Sequence, residues 1–159
     1  MELDTFFEAI REGNIKSISR YLSEHPQFVN TKDAKGYTPL VLAAYYDHQE
    51  LVALLLEKGA HVAQKDGTGN SALMGACFKG FKEVAKILIE AGADVNEQNA
   101  MGGTCLIYAA TFNKESIVRL LLEHGANHQL KDMRGQTALD HAKMQGFTSI
   151  ISLLEHSNN

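Results

Sequence analysis

Three small constellations in this 159-residue chain hold residues of the types that do chemistry. Gly67-Thr68-Gly69 is a fragment of the glycine-rich pattern whose backbone amides cradle phosphate. The third glycine, the Lys-Ser/Thr pair and the preceding strand are missing, so it reads as a turn. His124 and His128 are four residues apart, a spacing that ligates metal when both lie on one helix face, but Gly125 breaks any helix between them. Cys77 and Cys105 have no Cys-x-x-Cys pattern and no His or Asp placed to activate either thiol, so they read as buried structural side chains. The other histidines, His25, His48, His61, His141 and His156, fall at loop or surface-type positions and are expected to be solvated. No catalytic residue, metal site or cofactor is expected.

The elements that hold these residues are set by a strict period. Gly36, Gly69, Gly102 and Gly135 recur every 33 residues, which is the signature of stacked repeats. The same register aligns Thr38, Ser71, Thr104 and Thr137, then Leu40, Leu73, Leu106 and Leu139, then Ala43, Ala76, Ala109 and Ala142. Gly59-Ala60, Gly92-Ala93 and Gly125-Ala126 follow in step.

Each unit reads as a polar turn ending in Gly, a hydroxyl residue, a short apolar helix, a break, a second apolar helix, and Gly-Ala. Thr38 is placed to cap the first helix and Pro39 suits its first turn, where no amide hydrogen is needed. The second helices carry broad apolar stripes that must be buried, for example Val84, Ile87, Leu88 and Ile89. The Gly of Gly-Ala then ends the helix in the left-handed conformation. Ten helices in five pairs, with essentially no sheet, are predicted.

The segments DAKGYTPL (33–40), LLLEKGA (54–60) and EAGADVN (90–96) resemble the ankyrin repeat. The resemblance spans nearly the whole chain and implies an all-α solenoid of stacked helix-turn-helix units with β-turn fingers. About five repeats are implied, in one domain over 1–159: an N-terminal cap (1–32), full repeats at 33–65, 66–98 and 99–131, and a C-terminal cap (132–159). In the first unit Ala9, Gly13 and Val29-Asn30 match the register after one extra residue near His25-Pro26-Gln27. The chain departs from the family where a His usually follows Thr-Pro-Leu, since Val41, Met74, Ile107 and Asp140 stand there.

Composition, at 45% hydrophobic and 21% charged residues, suits one globular domain able to stack a continuous core. The end units of an array must present polar outer faces, and Glu2, Asp4, Glu8, Arg11 and Glu12, with Lys143, Gln145, Ser149, Ser152, Glu155 and His156, fit that role and favour a monomer. The start Met-Glu-Leu-Asp lacks a basic region followed by an apolar run, and no apolar stretch approaches the roughly 20 residues needed to span a bilayer. With two unpatterned cysteines, this predicts a reducing, cytoplasmic setting and no membrane partner. A formal charge of −4, without a Lys/Arg run, disfavours nucleic acid.

The resemblance implies that the fingers and first helices form a concave face that binds another protein. Carried across, that face includes Lys35, Tyr37, Tyr45, Tyr46, Lys65, Phe78, Lys79, Met101, Phe112, Arg134 and Met144. Tyr46 and Phe112 fit either that face or the core between repeats. Asp33, Asp66 and Asp132 are expected to bond the amides of their own turns, which leaves the fingertips locally basic through Lys32, Lys35, Lys65, Lys131 and Arg134. Those lysines fit recognition or plain solubility equally well. The resemblance implies a non-catalytic adaptor, or an inhibitor or immunity-type protein that occludes the active site of a partner enzyme or toxin.

Overall fold

The computed structural model describes residues 2–157. Ten α-helices follow in order: α1 (Leu3–Glu12), α2 (Ile15–Glu24), α3 (Pro39–Tyr45), α4 (Gln49–Glu57), α5 (Ala72–Lys79), α6 (Lys82–Glu90), α7 (Cys105–Thr111), α8 (Glu115–Glu123), α9 (Ala138–Gln145) and α10 (Thr148–Glu155). A 3-10 turn at Pro26–Asn30 accommodates the extra residue of the first unit. The odd-numbered helices pack on one another in one layer and the even-numbered helices in a second. Strand pairing among the described residues is limited to one isolated bridge, Lys65 with Ser71. The predicted all-α solenoid is therefore the observed architecture.

Helix starts follow from the recurring hydroxyl. Thr38 Oγ1 accepts from the Val41 amide at 3.2 Å, Ser71 Oγ from Met74 at 3.3 Å, and Thr104 Oγ1 from Ile107 at 3.1 Å. Those three residues are buried, so each cap also satisfies a hydroxyl oxygen that would be costly to bury unbonded. Thr137 repeats the cap, and Asp140 returns a bond to the Thr137 amide at 2.9 Å, completing a capping box. Asp140 is one of the four residues standing where the family's histidine is absent; the other three, Val41, Met74 and Ile107, are buried as plain core.

Helix ends are equally regular. Gly92 has φ +100°, after which the Ala93 amide reaches back to the Leu88 carbonyl at 3.0 Å. The Gly59-Ala60 and Gly125-Ala126 ends repeat this. The equivalent residues Leu55, Leu88 and Leu121 are fully buried. Leu139 is partly exposed where Leu40, Leu73 and Leu106 are buried, because among the described residues α9 packs against α7 and α10, with no helix on its other side. No described helix is long and apolar enough to cross a membrane.

Three histidines depart from the solvated role expected of them. His48 is half-buried, with Nε2 2.7 Å from the Arg11 carbonyl, tying the second unit to the first. His141 packs against Asp132, with Nε2 and Oδ2 2.7 Å apart, and His25 lies against the rings of Tyr21 and Phe28. Each sits where a nearby helix or turn offers an acceptor or a ring, which residue type alone does not reveal.

Leu88 lies in the central outer helix between α4 and α8, so Leu88→Ala is expected to cost about 2 to 5 kcal/mol, read from the denaturant midpoint. A loss well under 1 kcal/mol would contradict this packing. Gly92→Val is expected to destabilise through backbone strain alone, since a Cβ there meets nothing within 4 Å.

Candidate protein-binding face

The fingers are built by one repeated bond pattern. Asp66 Oδ1 accepts from the amides of Thr68 (2.9 Å) and Asn70 (3.0 Å). Asp33 does the same for Lys35 and Tyr37, Asn99 for Met101 and Gly103, and Asp132 for Arg134 and Gln136. In Gly67-Thr68-Gly69 the Thr68 amide is therefore spent on Asp66 rather than aimed at a phosphate.

Successive fingers are then tied together. The Ala100 amide donates to the Thr68 carbonyl at 3.2 Å and the Met133 amide to the Met101 carbonyl at 3.0 Å. A Cβ on Gly69 would meet the Ala100 nitrogen at 2.9 Å, so the close approach itself demands glycine. No corresponding backbone bond joins the 33–37 finger to the 66–70 finger among the described residues, and a Cβ on Gly36 would meet nothing within 4 Å. The row of fingers is open at that one step.

A cavity of about 320 Å³ occupies the opening. Tyr37, Tyr45 and Phe78 line it, together with Met74 and Gly75 of α5 and the polar edge Asp66, Thr68 and Asn70. Tyr45 and Tyr46 stand 6.1 Å apart on one side of it, and on the other Phe78 contacts Phe112 at 4.6 Å and Tyr108 at 5.3 Å. Tyr46 and Phe112, which fitted either location, are exposed, at 47% and 44%. Tyr37 is half-buried. Met101 and Met144 are exposed, and so is Met133, a fingertip methionine that the sequence reading passed over.

The cations are not equivalent. Lys65 is held by Glu97 at 3.3 Å, so it is a strut between units more than a free rim charge. Lys79 extends its ammonium over the Tyr45 ring, 4.7 Å from the centroid. Lys35 and Arg134 are exposed on their fingertips, with no side-chain ion pair among the described residues. Cys77 and Cys105 lie together in the fully buried seam between α5 and α7, where burial pushes the Cys77 thiol well above its ordinary pKa and contact with Cys105 adds to the rise. His124 Nδ1 is within 2.9 Å of the Leu120 carbonyl of its own helix, and no three described His, Cys, Asp or Glu residues are grouped to hold a metal.

A family model described as ankyrin repeats (3 copies) matches residues 6–99 and 73–159. Over 54 residues the chain is 43% identical to ankyrin repeat and SAM domain-containing protein 6 of Mus musculus, covering 34% of this chain and 6% of that protein. It is 41% identical over 54 residues to ankyrin repeat domain-containing protein 49 of Homo sapiens, covering 34% of this chain and 23% of the relative. It is 45% identical over 51 residues to ankyrin repeat and MYND domain-containing protein 1 of Homo sapiens, covering 32% of this chain and 5% of the relative. The matches thus span less than a quarter of each relative's length.

The last finger generates a pH dependence. Burial pushes the Asp132 carboxyl up, but bonds from His141 and the Gln136 and Arg134 amides outweigh it and hold the carboxyl below its ordinary 3.8. A depressed carboxyl contributes stability above that ordinary value and loses it as pH falls through the folded value. Asp132→Asn is therefore expected to destabilise at neutral pH, with the difference from the parent shrinking below about pH 4 in acid denaturation. A constant difference down to pH 2 would contradict this.

Proposed function

The chain belongs to the ankyrin repeat family, and on that premise we propose that it is a non-catalytic module that grips another protein with the concave face of fingers and first helices. Ankyrin repeats mediate protein–protein interaction, and the family is generally non-catalytic. One observation supports this face over any other. Every large hydrophobic side chain that is exposed among the described residues, namely Leu3, Tyr45, Tyr46, Phe78, Met101, Phe112, Met133 and Met144, lies on a finger, on a first helix or on the residue capping one. The second helices instead expose charge, as with Lys82, Glu83, Lys86 and Glu90 on α6. Aromatic and methionine side chains left in water on one side of a protein mark an interaction surface, and buried aromatics are the usual anchors of binding.

In this reading Tyr37, Tyr45, Tyr46, Phe78 and Phe112 supply the anchors, Met101 and Met144 widen the contact, and Lys35, Lys79 and Arg134 form the rim. Lys65 contributes chiefly through its bridge to Glu97. On the same reading the units 1–32 and 132–159 serve as caps, which favours a monomeric array, and the formal charge of −4 disfavours a nucleic-acid partner. Recruitment and occlusion use the same grip and are separated by the partner's own activity in the presence and absence of this chain.

With the partner isolated from its native source, Phe78→Ala is expected to cost about 2 kcal/mol or more of binding, while Lys86→Ala on the opposite side leaves affinity unchanged. Reversing Lys35 to Glu is expected mainly to slow association and reduce its salt dependence. Calorimetry and stopped-flow mixing read the two effects. Loss of binding in Lys86→Ala with retention in Phe78→Ala would place the partner on the second helices.

A further inference from the structure

The cavity at the open step of the finger row is lined on its α5 side by Gly75, where an added Cβ would meet only the Tyr45 ring, at 3.6 Å. In the 33-residue register Gly75 is equivalent to Leu42, Tyr108 and His141. Two of those side chains turn back to the first residue of their own finger: Tyr108 Oη bonds Asn99 Nδ2, and His141 Nε2 meets Asp132 Oδ2. In the second unit, where the equivalent is Leu42, Arg11 of α1 reaches Asp33 Oδ2 at 3.2 Å. The outer atom of the finger acid or amide thus has a side-chain partner in three units. In the remaining unit it has none. Asp66 Oδ1 is committed to its turn, Asp66 Oδ2 is bonded by no described residue, and Asp66 and Gly75 both line the cavity.

Resting on the reading of this face as a binding surface, we infer that the cavity receives a lysine or arginine side chain of the partner protein, whose cationic end pairs with Asp66 Oδ2. The chemistry of the walls suits both parts of such a side chain. Its aliphatic stem lies along Met74 and the edge of Phe78, and its charge meets the half-buried carboxylate of Asp66. The charge-assisted bond repeats, from the partner, what Arg11 does for Asp33 within the chain. A purely apolar occupant would cover Asp66 without bonding it, and burying an unpaired carboxylate is strongly unfavourable. Lys79 does not line the cavity; its ammonium is engaged by the Tyr45 ring, 4.7 Å from the centroid, and is exposed, so solvent screens its repulsion of an incoming cation.

The test uses the full chain and five blocked pentapeptides, acetyl-Gly-Ser-X-Ser-Gly-amide, with X as arginine, lysine, citrulline, norleucine or phenylalanine. Amide shifts are followed by heteronuclear NMR. The arginine or lysine peptide is expected to shift Thr68, Asn70 and Gly75 saturably, with citrulline and norleucine at least about tenfold weaker. Asp66→Asn, which copies Asn99, is expected to remove that preference, and Gly75→Leu, which copies Leu42, to abolish the shifts; the remaining amides report that each variant is folded. Norleucine or phenylalanine binding as tightly as arginine at the same amides would overturn the inference, as would a preference that survives Asp66→Asn or an absence of shifts with every peptide. Any of these leaves the wider face open, because that reading stands or falls on Phe78→Ala against the isolated partner.

Discussion

No helix pair in this chain can close its own core. Each second helix carries an apolar face that its own partner helix covers only in part, and the burial of Leu55, Leu88 and Leu121 is shared between the unit that carries them and its neighbours. Stacking is therefore a condition of folding, and every other feature works within it. The hydroxyl caps set where a first helix begins, the glycine ends set where a second helix stops, and the finger aspartates fix the path between. Because the units must lie in register, backbone atoms of one finger come within bonding reach of the next, and small differences between units become differences in how tightly neighbouring fingers approach.

That division explains what was legible in the sequence. Features that recur in a column could be read from the column: the cap at Thr38, Ser71, Thr104 and Thr137, the left-handed glycines before Ala60, Ala93 and Ala126, and the finger aspartates that accept from their own amides. The exposed aromatics were also legible, because the register assigns Tyr45 and Phe78 to the same non-core position. Tyr46 and Phe112 were not, since a large ring at that position can be accommodated either way until the packing of the adjacent unit is known.

What could not be read lies between columns. His48 looked like a loop residue, but its partner is a carbonyl 37 positions upstream. Lys65 looked like a fingertip charge, but Glu97 reaches it from the following unit. Gly75 carried the one available signal of the cavity, a missing side chain in a column that otherwise holds Leu42, Tyr108 and His141. Averaging over repeats finds what they share and hides the single unit that differs. On a face assembled from similar units, selectivity for a partner has to come from such differences, since shared residues present the same chemistry at every step.

The seam between α5 and α7 has a further consequence. Cys77 and Cys105 are both fully enclosed there, out of reach of any reagent while the two helices stay packed, and burial in addition keeps the Cys77 thiol protonated and poorly nucleophilic. Alkylation at either sulfur therefore waits for the array to part between its third and fourth units. The chain carries its own clock for that event: the modification rate, compared with that of a small free thiol, measures how often the stack breathes at its centre without unravelling from the ends.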